Sequence, residues 1–145
     1  RMKNKDVLLK LINLKPADCI HPIFNFSYIN LSRTLEVRKN IPNCGSAGCL
    51  LGELPGIDNE WSFDNVGDLN HIYYAEHDTA MDIVPNYFDL PYSIIRYLFY
   101  PDNKFYYGEN EYFNGIPADS TLEEVQNHIK KAMESPELKH YFEEN

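Results

Sequence analysis

The sequence predicts a mainly α fold: a compact single-domain bundle of about five short helices, with long aromatic loops and one short extended segment. Three observations carry this prediction. Leu122, Val125, Ile129 and Met133 recur at helical spacing, and so do Ile94, Ile95, Leu98 and Phe99. Prolines and a Pro-Gly pair cut the remainder into pieces too short for long helices. A chain of 145 residues also buries roughly 70% of its unfolded surface as one domain. Residues 1–145 therefore read as a single helical domain, with Met2 the natural start and Arg1 an addition before it.

Residues 6–14 read as a short apolar helix stopped by Pro16, with leucines on most faces and hence deep in the core. Residues 20–30 alternate Phe24, Phe26 and Tyr28 with polar neighbours, the period of a strand. Pro22 at the start leaves a packed extended segment as an equal reading. Residues 32–40 are ambiguous and carry much of the basic charge. Residues 46–54 read as a helix, with Ser46 as its cap and Pro55-Gly56 as its stop. Residues 56–68 follow as a loop that holds Trp61 among Asp58, Glu60 and Asp64.

Residues 79–88 read as a helix in which Pro85 sits in the first turn or makes a kink. Asp89-Leu90-Pro91 opens the next helix, whose buried stripe is Ile94, Ile95, Leu98 and Phe99 and whose end is Pro101. Residues 104–114 form an aromatic and acidic loop. Ser120-Thr121-Leu122-Glu123 reads as a capping box starting the clearest helix of the chain. Ser135-Pro136 opens a last helical turn through Leu138, Tyr141 and Phe142.

The net charge of −9 is unevenly spread: +5 over residues 1–44, −8 over 45–101 and −6 over 102–145. No Lys or Arg occurs from Asn40 to Ile95. Such a surface keeps a small protein in solution, and it also steers toward a basic partner. Direct nucleic-acid binding needs a basic footprint and is disfavoured. Three cysteines without a regular framework suit a reducing cytoplasm. The apolar run over residues 7–14 is too short to span a membrane.

The segment from Asn43 to Gly56 holds two cysteines and a cluster of glycines. Glycine costs about 1 kcal/mol inside a helix, so Gly48 and Gly52 imply close approach of a backbone or a ligand. Their spacing of four places both on one helical face.

Cys44-Gly45-Ser46-x-x-Cys49-x-x-Gly52 precedes Phe88-Asp89-Leu90, Leu98-Phe99-Tyr100-Pro101 and a helix beginning Ser120-Thr121-Leu122-Glu123. In this order the chain resembles a group of small, mostly helical proteins of phages, prophages and bacteria. They share a Cys-Gly-Thr/Ser-x-x-Cys-x-x-Gly turn and a Leu-Phe-x-Pro segment. The resemblance covers most of residues 5–133 and implies fold and origin, with Cys44, Gly45, Ser46, Cys49 and Gly52 in a structural motif. The group places an aromatic residue or His and then Ala after its last glycine, where this chain has Glu53-Leu54-Pro55.

A thiol at a helix N-terminus is activated by unpaired amides; equally, Cys44 and Cys49 read as small buried residues that allow tight packing. A zinc site would draw on His71 and His77, but no metal or cofactor is expected. Asp58, Glu60, Asp64 and Asp68 lack the spacing of a calcium loop and read as solvated. Tyr106, Tyr107, Glu109, Glu111, Tyr112 and Phe113, with Trp61, read as a partner-binding rim, since tyrosine-rich patches anchor interfaces. A loop folded back on the core is the competing reading. Binding rather than catalysis is expected: an accessory protein of phage or mobile-element origin that engages and inhibits a host protein, with defence components among the candidates, in the host cytoplasm. The alternatives are a small-molecule binder, built on the Gly48/Gly52 strip, and a cysteine enzyme.

Overall fold

Apolar stripes at helical spacing account for most of the regular structure. The computed structural model describes residues 2–20, 23–24, 47–62, 73–74, 78–101, 115–117 and 119–144. Among these are five α-helices: α1 Lys5–Ile12, α2 Leu54–Ile57, α3 Ala80–Phe88, α4 Tyr92–Phe99 and α5 Leu122–Glu134. Short 3-10 turns occupy Pro16–Asp18, Leu50–Glu53 and Lys139–Phe142. The fold is mainly α, and no helix among the described residues is long and apolar enough to cross a membrane.

The stripe on α4 is as expected, with Ile94, Ile95, Leu98 and Phe99 all buried. On α5, Val125, Ile129 and Ala132 are buried, while Leu122 and Met133 are half-buried against the core. Helix α5 lies against both α1 and α4, α4 against α3, and α1 against α2. In α1, Leu8 and Leu11 are fully buried, whereas Leu9 is 41% exposed. An eight-residue helix against one core has an outer face, so the expectation of burial on most faces does not hold for Leu9.

The capping box sits one residue later than the sequence suggested. Thr121 accepts from the Glu124 backbone N–H at 3.2 Å, and the Glu124 carboxylate accepts from the Thr121 N–H at 3.0 Å. The Ser120 hydroxyl is already committed, donating to the Pro117 carbonyl at 2.7 Å. Thr121 is therefore the residue left to cap the helix.

The expected helix over residues 46–54 is not formed. Ala47–Gly48 is instead a strand (β2) paired in parallel with Ile23–Phe24 (β1), Ile23 opposite Ala47 and Phe24 opposite Gly48. Gly48 and Gly52 thus share no helical face, because one is in a strand and the other in a 3-10 turn. Pro55 and Gly56 do not stop a helix either; they lie inside α2, with Pro55 in the first turn. A missing N–H costs nothing there. The expected loop over 56–68 begins with the last two residues of α2 and also holds β3 (Trp61–Ser62), which pairs antiparallel with β4 (Tyr73–Tyr74). Next to it, β4 pairs with β5 (Asp78–Thr79). Of the expected extended segment over 20–30, residues 23–24 form β1 and 25–30 lie outside the described residues, as do 32–40 and 104–114.

Pro85 is inside α3 rather than in its first turn. The end of α3 is a Schellman turn: Asp89 is left-handed at φ 52, Asp89 N–H donates to the Asn86 carbonyl and Leu90 N–H to the Pro85 carbonyl. The last carbonyls of α3 are reached from the start of the chain. Lys3 N–H donates to the Phe88 carbonyl at 2.8 Å, and Asn4 Nδ2 donates to the Tyr87 carbonyl at 2.8 Å. On its other side this segment meets residues 143–144, with Met2 N–H donating to the Glu143 carbonyl at 3.0 Å.

Candidate functional site

Of the residues singled out in the sequence, Cys44, Gly45 and Ser46 lie outside the described residues, and so do Tyr106, Tyr107, Glu109, Glu111, Tyr112 and Phe113. Asp64, Asp68, His71 and His77 lie outside them as well. Cys49, Gly52 and Trp61 are placed, and all three are interior.

Cys49 precedes the 3-10 turn Leu50–Glu53 and is 4% exposed. Burial pushes its thiol up to about 11, with the Glu53 carboxylate adding to the rise and hydrogen bonds from the backbone of Gly52 and Leu51 opposing it. The amides of a four-residue turn do not outweigh desolvation, so Cys49 is not an activated thiol. Cys19, half-buried, is likewise pushed up to about 11, first by burial and then by the charges of Glu53 and Asp18. Gly52 is buried within the turn, its N–H donating to the Cys49 carbonyl at 3.0 Å.

Trp61 does not serve a surface rim, because its ring is 2% exposed. Pairing of β3 with β4 turns the residue inward, where it meets Tyr87 edge-on with centroids 5.3 Å apart. The Tyr87 hydroxyl donates to the Asp58 carboxylate at 2.5 Å, and the same side chain accepts from Glu60 N–H at 3.0 Å. Asp58 thus fastens α2 to α3 and is not the solvated acid the sequence suggested.

Two interior polar groups escaped the sequence reading. Glu53 is 4% exposed, and its carboxylate accepts from the Ile20 N–H at 2.6 Å. Gln126 is 9% exposed, and its Nε2 donates to the carbonyls of Leu11 at 3.1 Å and Leu14 at 2.8 Å. A helix leaves its last carbonyls without intrahelical donors, and Gln126 supplies donors at the end of α1. A signal existed for Gln126: it follows Leu122 by four and precedes Ile129 by three, which places a polar residue on the apolar arc of α5. For Glu53 the signal was an acid in an otherwise apolar run, Leu50 to Leu54.

On α5, His128 Nε2–H donates to the Tyr97 carbonyl at 2.6 Å, and the two rings lie 4.4 Å apart. Burial holds this imidazole below its ordinary pKa, with Lys131 acting in the same direction and the Tyr97 hydrogen bond opposing.

Among the described residues, two clefts leave open space. One, of about 470 Å³, runs between the start of α1 and α2 and is bordered by Asp6, Lys10, Asp58 and Asn59. The other, of about 320 Å³, lies between the end of α1 and the first turns of α5. Among the described residues no group of three or more His, Cys, Asp or Glu side chains is arranged to hold a metal ion. No protein-family model matches the chain, and neither does any curated protein or solved structure.

Proposed function

We propose that this chain is an accessory protein of phage or mobile-element type that acts by binding a basic host protein and blocking it, without chemistry of its own. The observation that carries the reading is the charge pattern, a net −9 with no Lys or Arg from Asn40 to Ile95. An excess of one sign of charge raises the encounter rate with an oppositely charged protein. Glu109 and Glu111, set among Tyr106, Tyr107, Tyr112 and Phe113, supply the residue types that anchor such contacts. The similarity of the Cys44-to-Gly52 motif and the Leu98-to-Pro101 segment to phage proteins supports the origin. The cysteine-enzyme alternative is weakened by the raised pKa of Cys49, and a pocket on a Gly48/Gly52 strip by the separation of those two glycines into a strand and a turn.

Affinity capture from bacterial lysate, followed by a salt titration on the purified pair, tests the reading. A basic partner whose association rate falls steeply with salt is expected, because exposed charges are screened over about 8 Å at physiological ionic strength. Charge reversal at Glu109 and Glu111 slows association, and alanine at Tyr106, Tyr107 and Tyr112 speeds dissociation. Recovery of no partner, or of one whose binding ignores both salt and these substitutions, refutes it.

A further inference from the structure

We propose that the cleft between the end of α1 and the first turns of α5 binds a small zwitterion with an apolar side chain, an amino acid or a dipeptide. Gln126 is the starting point. Because its amide faces two carbonyls, Leu11 and Leu14, the nitrogen must point at them. The oxygen is thereby turned away from the end of α1. Gln126 borders the cleft, and its Oε1 accepts no hydrogen bond among the described residues. The Gln126 side chain is only 9% exposed, so this acceptor is held in a fixed direction at the cleft, where a ligand donor can take the place of water.

The surroundings define that ligand. Glu123, Gln126, Asn127 and Lys130 border the cleft from α5 at spacings of three, four and seven, which puts them on one face. At a 1.5 Å rise per residue the row spans roughly 10 Å. Acceptors, Glu123 and Gln126 Oε1, stand at its N-terminal end, and the Lys130 ammonium stands at its C-terminal end. Lys15 joins the border from the chain just after α1. The C-terminal end of α1 carries partial negative charge and favours an ammonium close by. Ile12, Leu14 and Leu122 give the border its apolar part. A ligand with an ammonium, a carboxylate and an apolar side chain uses all three parts, and about 320 Å³ accommodates an amino acid or a dipeptide. This inference is independent of the protein-binding reading and stands or falls separately.

An NMR titration of the isotope-labelled chain tests it with four probes: L-leucine, L-leucyl-L-leucine, isoamylamine, which lacks the carboxylate, and 4-methylpentanoate, which lacks the ammonium. Saturable shifts below about 10 mM, the weak end of specific binding, are expected from at least one zwitterion at the Gln126 side-chain NH₂ and at residues 12–16 and 122–130. Each singly charged probe should bind about tenfold more weakly, the loss expected from one charge-assisted hydrogen bond. Glu123→Gln and Lys130→Gln remove exposed or half-exposed charges, leave the fold intact and should each weaken the zwitterion by about fivefold. The proposal is overturned by no saturable shift from either zwitterion, by equal binding of the singly charged probes, by shifts centred elsewhere, or by rim variants that bind as well as the parent.

Discussion

The carboxylate of Glu53 accepts the backbone N–H of Ile20 across 33 residues of sequence, at 2.6 Å and with Glu53 only 4% exposed. The bond ties the chain leaving the 3-10 turn Pro16–Asp18 to the turn that leads into α2. A buried carboxylate lost to alanine leaves its donor unpaired, at a cost of about 1–3 kcal/mol. Glu53→Ala is expected to lower the unfolding free energy by that amount or more, and Glu53→Gln, which keeps an acceptor, by less. Urea unfolding of both variants checks the order, and equal losses would show that charge rather than acceptance matters.

Gln126→Leu is close in volume but removes the donors to the Leu11 and Leu14 carbonyls. The expected loss is about 1–3 kcal/mol, read from denaturant midpoints. Hydrogen exchange should quicken most at the C-terminal end of α1, where the carbonyls are released. A variant as stable as the parent would mean that water replaces the amide without cost.

At the start of α5, Thr121→Ala should cost about 1 kcal/mol, the usual worth of an N-cap. Because the Thr121 hydroxyl rather than that of Ser120 accepts from Glu124 N–H, Ser120→Ala should leave α5 capped. Its effect is confined to the turn closed by the Pro117 carbonyl. Helical signal and thermal melting of the two variants separate these outcomes.

His128 has a folded-state pKa below its ordinary value, chiefly through burial. The unfolded chain therefore binds the proton more readily than the folded one, and stability rises with pH. The contribution is complete above about pH 6.5, the ordinary imidazole value, and is lost as pH falls through that value toward the folded pKa. His128→Gln should lose less stability than the parent between pH 7.5 and pH 5, values chosen to bracket about 6.5. Parallel denaturant midpoints across that range give the comparison, and identical slopes would remove His128 as a contributor.

A thiol with a pKa of about 11 is ionised to about one part in ten thousand at neutral pH. Cys49 should resist alkylation in the folded chain and react fully in denaturant. Peptide mapping after brief iodoacetamide treatment reads this directly, and rapid native labelling at Cys49 would reverse the assignment of this residue to the interior.

Helices α4 and α5 were legible because their spacing is a local property, and Ile94, Ile95, Leu98 and Phe99 point inward whatever surrounds them. Ala47 and Gly48 were not, because their strand is decided by Ile23 and Phe24, more than 20 residues away. Local preference around Ser46 favours a helix start, and a distant pairing overrides it. Trp61 was misplaced for the same reason, since β4 decides which way β3 faces. The capping box slipped by one residue because Ser120 and Thr121 are equivalent as cap formers until the Pro117 carbonyl claims the first. Of the site residues, Cys49 matches one of its two readings, the small buried residue, whereas the helical face expected for Gly52 was not formed because Gly48 lies in a strand. Gln126 was overlooked because a single polar residue in an apolar stripe reads as noise until the carbonyls it serves are known.

The stitch between the two ends of the described chain has a consequence for the order of events during synthesis. Met2 N–H finds its acceptor on Glu143, and Lys3 and Asn4 cover the carbonyls of Phe88 and Tyr87. On the ribosome the first residues emerge long before residue 143, so Met2 waits for its acceptor until about 140 further residues have been added. Until then α1 lacks the support of α5 as well, because residues 122–134 are also late. Closure of this core therefore waits on residues 122–144, and a ribosome stalled before them would hold a nascent chain whose residues 2–12 have neither α5 nor Glu143 to close against.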